Sequence, residues 1–290
     1  MSLSAVLPLK YENHKTNSFQ QCKLLFQSLL KFGQNLHFEE FLVVTPKQDM
    51  ARIEQELEPY SAYLPLRYID EKDLILDATI RRGVGGWRKQ QLIKLAVSSI
   101  IHSAYYITFD ADVLLKNTLS NEDLIIKGKA LLQHQHKSVR PHWWKGSAEI
   151  LKIDPEMDNL GMDVTPALLH TQTVQNLKNY LSQMEGRTWI NQLLLSYYGF
   201  PKSLWKKSIP WTEYTLYYLF LSNFGKLEEV HQLSEKPILL SKKSVWSTVD
   251  FDQWDPTIAF QQDKVPFLVV QSNKQIPMEN LREKLSPYLN

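Results

Sequence analysis

Short apolar runs alternate along this chain with longer segments whose apolar residues recur every three or four positions. The runs at 5–9, 41–44, 66–69 and 105–109 predict strands, and the fully apolar 105–109 is of the kind covered on both faces of a parallel sheet. Between them, Leu24, Leu25, Leu29 and Phe32 predict a helix over 19–32, and Leu92, Leu95, Ala96 and Ile100 predict another over 87–101. A third helix is expected at 49–57, with Asp49 as its N-cap, after Pro46 stops the second strand. Strands alternating with helices argue a doubly wound α/β sheet. In the second half, strands are expected at 130–133, 164–169, 238–240 and 267–271. Helices are expected at 171–184, 211–224 and 278–285. The Trp-rich stretch 142–150 opens a less regular region.

Composition narrows the class. The chain has 290 residues, 43% of them hydrophobic, enough for a full core in one large domain. A charged fraction of 22% and a formal net charge of +2 give no electrostatic footprint for nucleic acid. The single cysteine, Cys22, excludes an internal disulfide framework and suits a reducing compartment; its apolar helical setting reads as a small buried hydrophobe. Residues 1–10 lack the basic start and long apolar run of a secretory leader. No window approaches a transmembrane span, and Thr215, Ser222 and Asn223 interrupt the most apolar long stretch. A cytoplasmic location is therefore expected. With no repeat and no linker-like run, residues 1–290 read as one domain.

The chemistry concentrates where the 105–109 strand ends, in Asp110-Ala111-Asp112. Ligands of open α/β sheets bind beyond the C-terminal ends of the strands. Two carboxylates two residues apart project to one side of an extended chain, so both can approach one cation. Hard oxygen ligands suit Mg²⁺ or Mn²⁺, which would bridge the carboxylates to a diphosphate. The alternative is a solvated pair capping the next turn. Haloacid-dehalogenase-like phosphatases share the local pattern, with the first Asp as nucleophile. Their pair sits near the domain's start and is followed two places on by Thr or Val. Here three strand–helix units precede it, and that position is Leu114. Such a phosphatase using Asp110 is the alternative reading, beside a non-catalytic nucleotide-sugar-binding module.

Just upstream stands Gly85-Gly86-Trp87-Arg88-Lys89-Gln90-Gln91-Leu-Ile-Lys94-Leu. The glycines permit a tight entry into a helix, and a helix N-terminus with Arg88, Lys89 and Lys94 favours an anionic diphosphate. The alternative is a solvated basic face. Gly-Trp-x-x-Gln-Gln-x-x-Lys-Leu, followed by an apolar strand into Asp-Ala-Asp-Val, resembles a family of bacterial GT-A-fold glycosyltransferase-like proteins. More distantly it resembles the nucleotide-diphospho-sugar transferases of the glycogenin kind. Gly161-Met-Asp-Val-Thr-Pro166-Ala-Leu-Leu-His170, Trp211-Thr-Glu213-Tyr214-Thr-Leu-Tyr217 and Pro266-Phe-Leu-Val-Val-Gln271-Ser272-Asn273 follow in matching order. The resemblance covers roughly residues 6–273.

The resemblance implies a GT-A-like, Rossmann-type mixed sheet flanked by helices. Residues 1–130 would form the nucleotide-sugar-binding half, and residues 131–290 a helical, aromatic acceptor-binding half. It implies a metal-dependent, hexosyltransferase-like activity that moves a sugar from a nucleotide-diphosphate sugar, UDP-linked by preference, to a saccharide or glycolipid hydroxyl. Such an activity belongs to surface polysaccharide or glycoconjugate synthesis, with peripheral contact at the inner face of the membrane. Lys10, Asn13, Trp87, Arg88, Gln91, Lys94, Asp110, Ala111 and Asp112 would bind the donor. Mn²⁺ or Mg²⁺ would sit on Asp110 and Asp112. Relatives commonly add a histidine from a strand near the C-terminus; this chain has Gln271 there, with Asn273, His170 and His231 as other candidates.

On the acceptor side, Glu213 lies among Trp211, Tyr214, Tyr217 and Tyr218. A carboxylate among aromatic rings suits sugar recognition and general-base work, against the alternative of a helix-capping glutamate. Asp163 is the second candidate base. Arg140, His142, Trp143, Trp144 and Lys145 form a basic–aromatic cluster that reads as an acceptor contact or a lid, since exposed tryptophan is costly. His134 and His136 read as ordinary strand residues.

Overall fold

The structure, a computed structural model, describes residues 2–11, 17–75, 84–197, 209–234, 236, 238–272 and 276–289. The first half runs β1 (Leu3–Pro8), α1 (Ser18–Phe32), β2 (Phe41–Thr45), α2 (Lys47–Leu57), β3 (Leu66–Asp70), α3 (Glu71–Leu74), α4 (Gly86–Ala96), β4 (Tyr105–Thr108), β5 (Val113–Leu115), α5 (Asn121–Leu124) and β6 (Ile125–Ile126). Next come β7 (Lys129–His136), α6 (Pro141–Leu151), β8 (Leu160–Met162), β9 (Ala167–His170), α7 (Thr171–Met184) and α8 (Trp189–Tyr197). The chain finishes with α9 (Glu213–Phe224), α10 (Leu227–Val230), β10 (His231–Ser234), α11 (Thr248–Gln253), β11 (Phe267–Val269) and α12 (Met278–Leu289).

The central sheet has the order β3-β2-β1-β4-β9. Its first four strands are parallel, and β9 runs antiparallel to β4 with Thr108 opposite Ala167. Strand β1 is buried on both faces, which explains its continuous apolar run. Leu3, Ala5 and Leu7 pack with Phe26, Phe41 and Phe109 on one face. Val6 packs with Leu42, Leu92 and Leu95 on the other. From β1 the chain steps outward through β2 to β3, then returns to place β4 on the opposite side. The strand order thus reverses between β1 and β4, and a crevice opens beyond their C-terminal ends. A smaller sheet, β10-β7-β6 with β8 on β7, carries the second half. The last strand, β11, returns antiparallel to β5, with Val269 opposite Val113. Among the described residues, no helix is long and apolar enough to cross a membrane.

Several expectations are corrected here. The stretch 142–150 is helical: α6 starts on Pro141, which suits a first helical turn, and buries Trp144, Ala148 and Leu151. Helix α2 begins at Lys47 after Pro46, so Asp49 is not its N-cap; the Asp49 carboxylate accepts the Tyr11 amide at 3.1 Å. Helix α4 ends at Ala96 and passes into a 3₁₀ turn, Val97–Ser99. The strand expected over 164–169 begins only at Ala167, because Pro166 has no N–H to give to a ladder. Helix α9 starts at Glu213, since the Thr212 hydroxyl caps it by accepting the Thr215 amide at 3.1 Å. The stretch 238–240 contributes one isolated bridge, Leu240 to Phe267, and no strand.

Helix α6 approaches the segment that leads into α9 through Gly146. A Cβ added there would lie 1.8 Å from the Pro210 carbonyl oxygen. Because that neighbour is backbone and cannot swing aside, Gly146→Ala is expected to cost at least about 2 kcal/mol. Urea denaturation measures this, and a loss below about 0.5 kcal/mol would contradict the packing.

Candidate active site

The crevice at the strand reversal holds a cavity of about 170 Å³. Three segments build it. Beyond β4, Phe109 turns inward to the core and the chain presents Asp110 and Asp112. Helix α4 presents Gln90, Gln91 and Lys94, because residues three and four apart share a helix face. Helix α9 crosses α4 and contributes Glu213 and Tyr214. Strand pairing between β5 and β11 then carries Gln271 to the rim. The Val270 amide donates to the Asp112 carbonyl at 3.0 Å, and the Ser272 amide donates to Asp112 Oδ2 at 2.8 Å.

Lys94 is the hub. Its ammonium lies 2.7 Å from Asp110 Oδ1, 3.0 Å from Glu213 Oε1 and 3.0 Å from the Tyr214 hydroxyl, which pairs in turn with Thr108 Oγ1 at 2.9 Å. The side chain is only 3% exposed. Burial disfavours the ammonium, but Asp110 and Glu213 outweigh it, so the pKa stands well above that of an ordinary lysine. Asp112 has no cation of its own among the described residues. Burial and the neighbouring Asp110 lift its pKa from 3.8 to about 6, against the pull of the Ser272 amide.

These residues fit a divalent cation in part. Two carboxylates and the Gln271 amide oxygen are hard donors, and an un-neutralised, desolvated Asp112 is the kind of group a cation relieves. Among the described residues no three His, Cys, Asp or Glu side chains form a metal cluster, so further ligands would come from a bound diphosphate and water.

A second cavity, of about 540 Å³, adjoins the first. Arg140 and Trp246 line both. The guanidinium of Arg140 lies 5.0 Å from the Trp143 ring and 5.9 Å from the Trp246 ring, within cation–π range. Asp163 lines the second cavity. It accepts the Gln133 side-chain amide at 2.7 Å and the Val164 amide at 2.8 Å, and burial raises its pKa. A third cavity lies beyond the C-terminal end of β1, lined by Pro8, Leu9, Lys10, Val44 and Gln48, and shares Gln90 with the first.

The family model for a family of unknown function, DUF6492, matches residues 1–290. The chain belongs to this family. No curated protein matches it in sequence. The DUF6492 chain is similar in structure to mouse xyloside xylosyltransferase 1 in its apo form, with a TM-score of 0.56 and 15% identity, covering 96% of this chain and 100% of that one. It is also similar to the galactosyltransferase LgtC solved with donor and acceptor sugar analogues, with a TM-score of 0.51 and 10% identity, covering 99% of this chain and 96% of that one. At such identities the likeness establishes the fold: a GT-A-like mixed α/β sheet flanked by helices.

Within this DUF6492 fold the expected site residues divide. Asp110, Asp112, Gln91, Lys94, Glu213, Gln271 and Trp87 all line the first cavity, with Trp87 about half exposed and its ring centre 6.0 Å from that of Trp143. Lys10 lies apart, in the cavity beyond β1. Arg88 lines neither cavity. Ala111 is packed into the core and does not line the cavity. Asn13 and Asn273 lie outside the described residues. The basic–aromatic cluster splits on α6: Trp143 faces the site with Arg140, Trp144 is core, and His142 and Lys145 are exposed. His231 is removed from the metal candidates, because its Nδ1 pairs with the Ala130 carbonyl at 3.1 Å and its Nε2 with the Tyr217 hydroxyl at 2.6 Å. His170 bonds Thr173 Oγ1 through its own Nδ1 at 2.9 Å. Sequence reasoning missed Trp246, Thr165 and Thr212 on the first wall; of these only the half-buried tryptophan carries a signal, as a costly residue to leave in water.

Proposed function

We propose that this protein is a metal-dependent glycosyltransferase that moves a sugar from a nucleotide-diphosphate sugar to an acceptor hydroxyl. The observation that carries the reading is the convergence of Asp110, Asp112, Lys94 and Gln271 on one cavity at the strand reversal of a GT-A-like sheet. Residues 1–130 act as the donor half and 131–290 as the acceptor half of one unit. The nucleotide lies over the cavity at Lys10, which meets the first cavity at Gln90. Asp110, Asp112 and the Gln271 oxygen would hold Mn²⁺ or Mg²⁺, whose chemistry is to offset charge on the leaving diphosphate. Lys94, held as an ammonium, adds a fixed positive charge beside Asp110. The acceptor, a saccharide or glycolipid hydroxyl, enters through the cavity lined by Arg140 and Trp246. There Asp163, which lines that cavity, would take its proton. Glu213, almost fully buried and committed to Lys94, positions that lysine and is not a proton acceptor.

UDP or GDP with Mn²⁺ is expected to raise the melting temperature by roughly 4–5 °C at a hundredfold excess over Kd. Asp110→Ala is expected to abolish the shift. Differential scanning fluorimetry reads both, and a shift that persists in the variant would remove the metal assignment. A nucleotide-release screen over donor sugars then identifies the substrate. Release of phosphate from simple phosphomonoesters, with an aspartyl-phosphate at Asp110, would replace this reading with the phosphatase.

A further inference from the structure

One side chain in the first cavity is left chemically incomplete by the protein. Gln91 is 2% exposed, yet neither its amide nitrogen nor its amide oxygen has a hydrogen-bond partner. Buried side-chain polar atoms are satisfied in the large majority of cases, so an amide orphaned at both atoms calls for a reason. Its neighbours do not supply one. Lys94, one helical turn on, already spends its donors on Asp110, Glu213 and the Tyr214 hydroxyl. Ser272 meets Asp112 through its own amide. Gln91 lines the cavity, and although both amide atoms are sealed from solvent, a turn of the side chain toward the cavity would bring them to what fills it.

The chemistry of the amide selects the occupant. A glutamine offers two N–H donors and a carbonyl oxygen with two lone pairs, side by side. A phosphate oxygen has nothing to donate to the carbonyl. Two adjacent hydroxyls on a sugar ring match both atoms, since each hydroxyl donates and accepts. We infer that Gln91 is the residue that reads the transferred sugar, and that the donor is a pyranose with a free vicinal diol facing helix α4. The inference rests on the reading of this cavity as a donor site. It narrows Gln91 from one of several expected donor-binding residues to the one that determines specificity.

The test compares wild type with Gln91→Leu, which keeps the volume and removes the amide; Gln91→Met serves if the leucine variant does not fold. Probes are UDP and GDP with Mn²⁺, then the glucose and galactose conjugates of whichever nucleotide binds, with their 2-, 3- and 4-deoxy analogues. Calorimetry gives the affinities. Wild type is expected to lose about tenfold or more when one of two adjacent hydroxyls is removed, the consequence of unpairing a buried polar group. The variant is expected to bind the bare nucleotide as wild type does and to treat parent and deoxy sugars alike within about twofold. Its unliganded melting temperature is expected to rise by about 2 °C or more, because the orphaned amide is gone. Deoxy discrimination that is unchanged in the variant, with nucleotide binding intact, overturns the role of Gln91 alone. Failure of wild type to bind either nucleotide with Mn²⁺ overturns the donor-site reading itself, and this inference with it.

Discussion

Lys94→Met is expected to destabilise the protein by about 3–5 kcal/mol. The variant leaves two carboxylates facing each other without the ammonium between them, and Glu213 is as buried as the lysine it loses. Its alternatives are to hold an uncompensated charge in a low-dielectric setting or to protonate, and both cost free energy. The Tyr214 hydroxyl also loses a donor. Because the cost belongs to the orphaned partner, adding Glu213→Gln to Lys94→Met is expected to recover a substantial part of it. The coupling term of a double-mutant cycle by urea denaturation checks this. A loss under about 1 kcal/mol for Lys94→Met, or additive single effects, would show that Lys94 and Glu213 do not act as a pair. The same cycle separates structure from chemistry: a double variant that folds like wild type but no longer responds to nucleotide would assign Lys94 its place beside the diphosphate.

The second large effect has the opposite sign. Asp112→Asn is expected to stabilise the metal-free protein by roughly 3 kcal/mol at pH 8 and to change it little near pH 4. Burial and Asp110 lift the Asp112 pKa from 3.8 to about 6, so the folded state binds a proton more tightly than the unfolded chain. Between about pH 4 and 6 the native form therefore holds more protons than the unfolded one, and stability falls as pH rises through that window. Above it the cost is fully present. Asparagine removes the charge while its oxygen still accepts the Ser272 amide. Melting curves of both proteins across pH 4–8 without divalent metal should converge at the acid end. A variant no more stable than wild type at pH 8 would mean that Asp112 is not strained by its neighbours. The same substitution is expected to abolish the Mn²⁺-dependent response to nucleotide, the trade of stability for function common at charged sites.

Much of the first half of the fold and of the cavity wall was legible in the chain itself, for local reasons. Strand period, helix period and the Pro and Gly punctuation are set by residues within a few positions of one another, so β1 to β4 and helices α1, α2 and α4 follow from pattern, while the single turn of α3 does not. The Asp110-Ala111-Asp112 turn was legible because an apolar strand must surface at its end, and Lys94 and Gln91 because helical spacing sends them to the same face. Helix α6 was misread because its Trp and Gly content hides an amphipathic period that only the burial of Trp144, Ala148 and Leu151 reveals.

What the sequence by itself determined is the α/β class, the order of the strands and longer helices through β4, and the acidic pair at the end of the fourth strand; the elements α3, β5, α5, β6, β8, α8, α10, β10 and α11 were not legible in it. Only the tertiary structure decided what those groups do together. The ion pair of Lys94 with Glu213 joins residues more than a hundred positions apart, and it exists because α4 crosses α9. The approach of Gln271 depends on β11 pairing with β5, and the withdrawal of His231 from metal binding depends on Tyr217. Each of these is a desolvated, long-range contact whose energy depends on burial and distance, and neither quantity is carried by residue order. The same holds for Asp110-Ala111-Asp112: residue order placed the two carboxylates, and packing made Asp110 the partner of a lysine and left Asp112 without a cation of its own among the described residues.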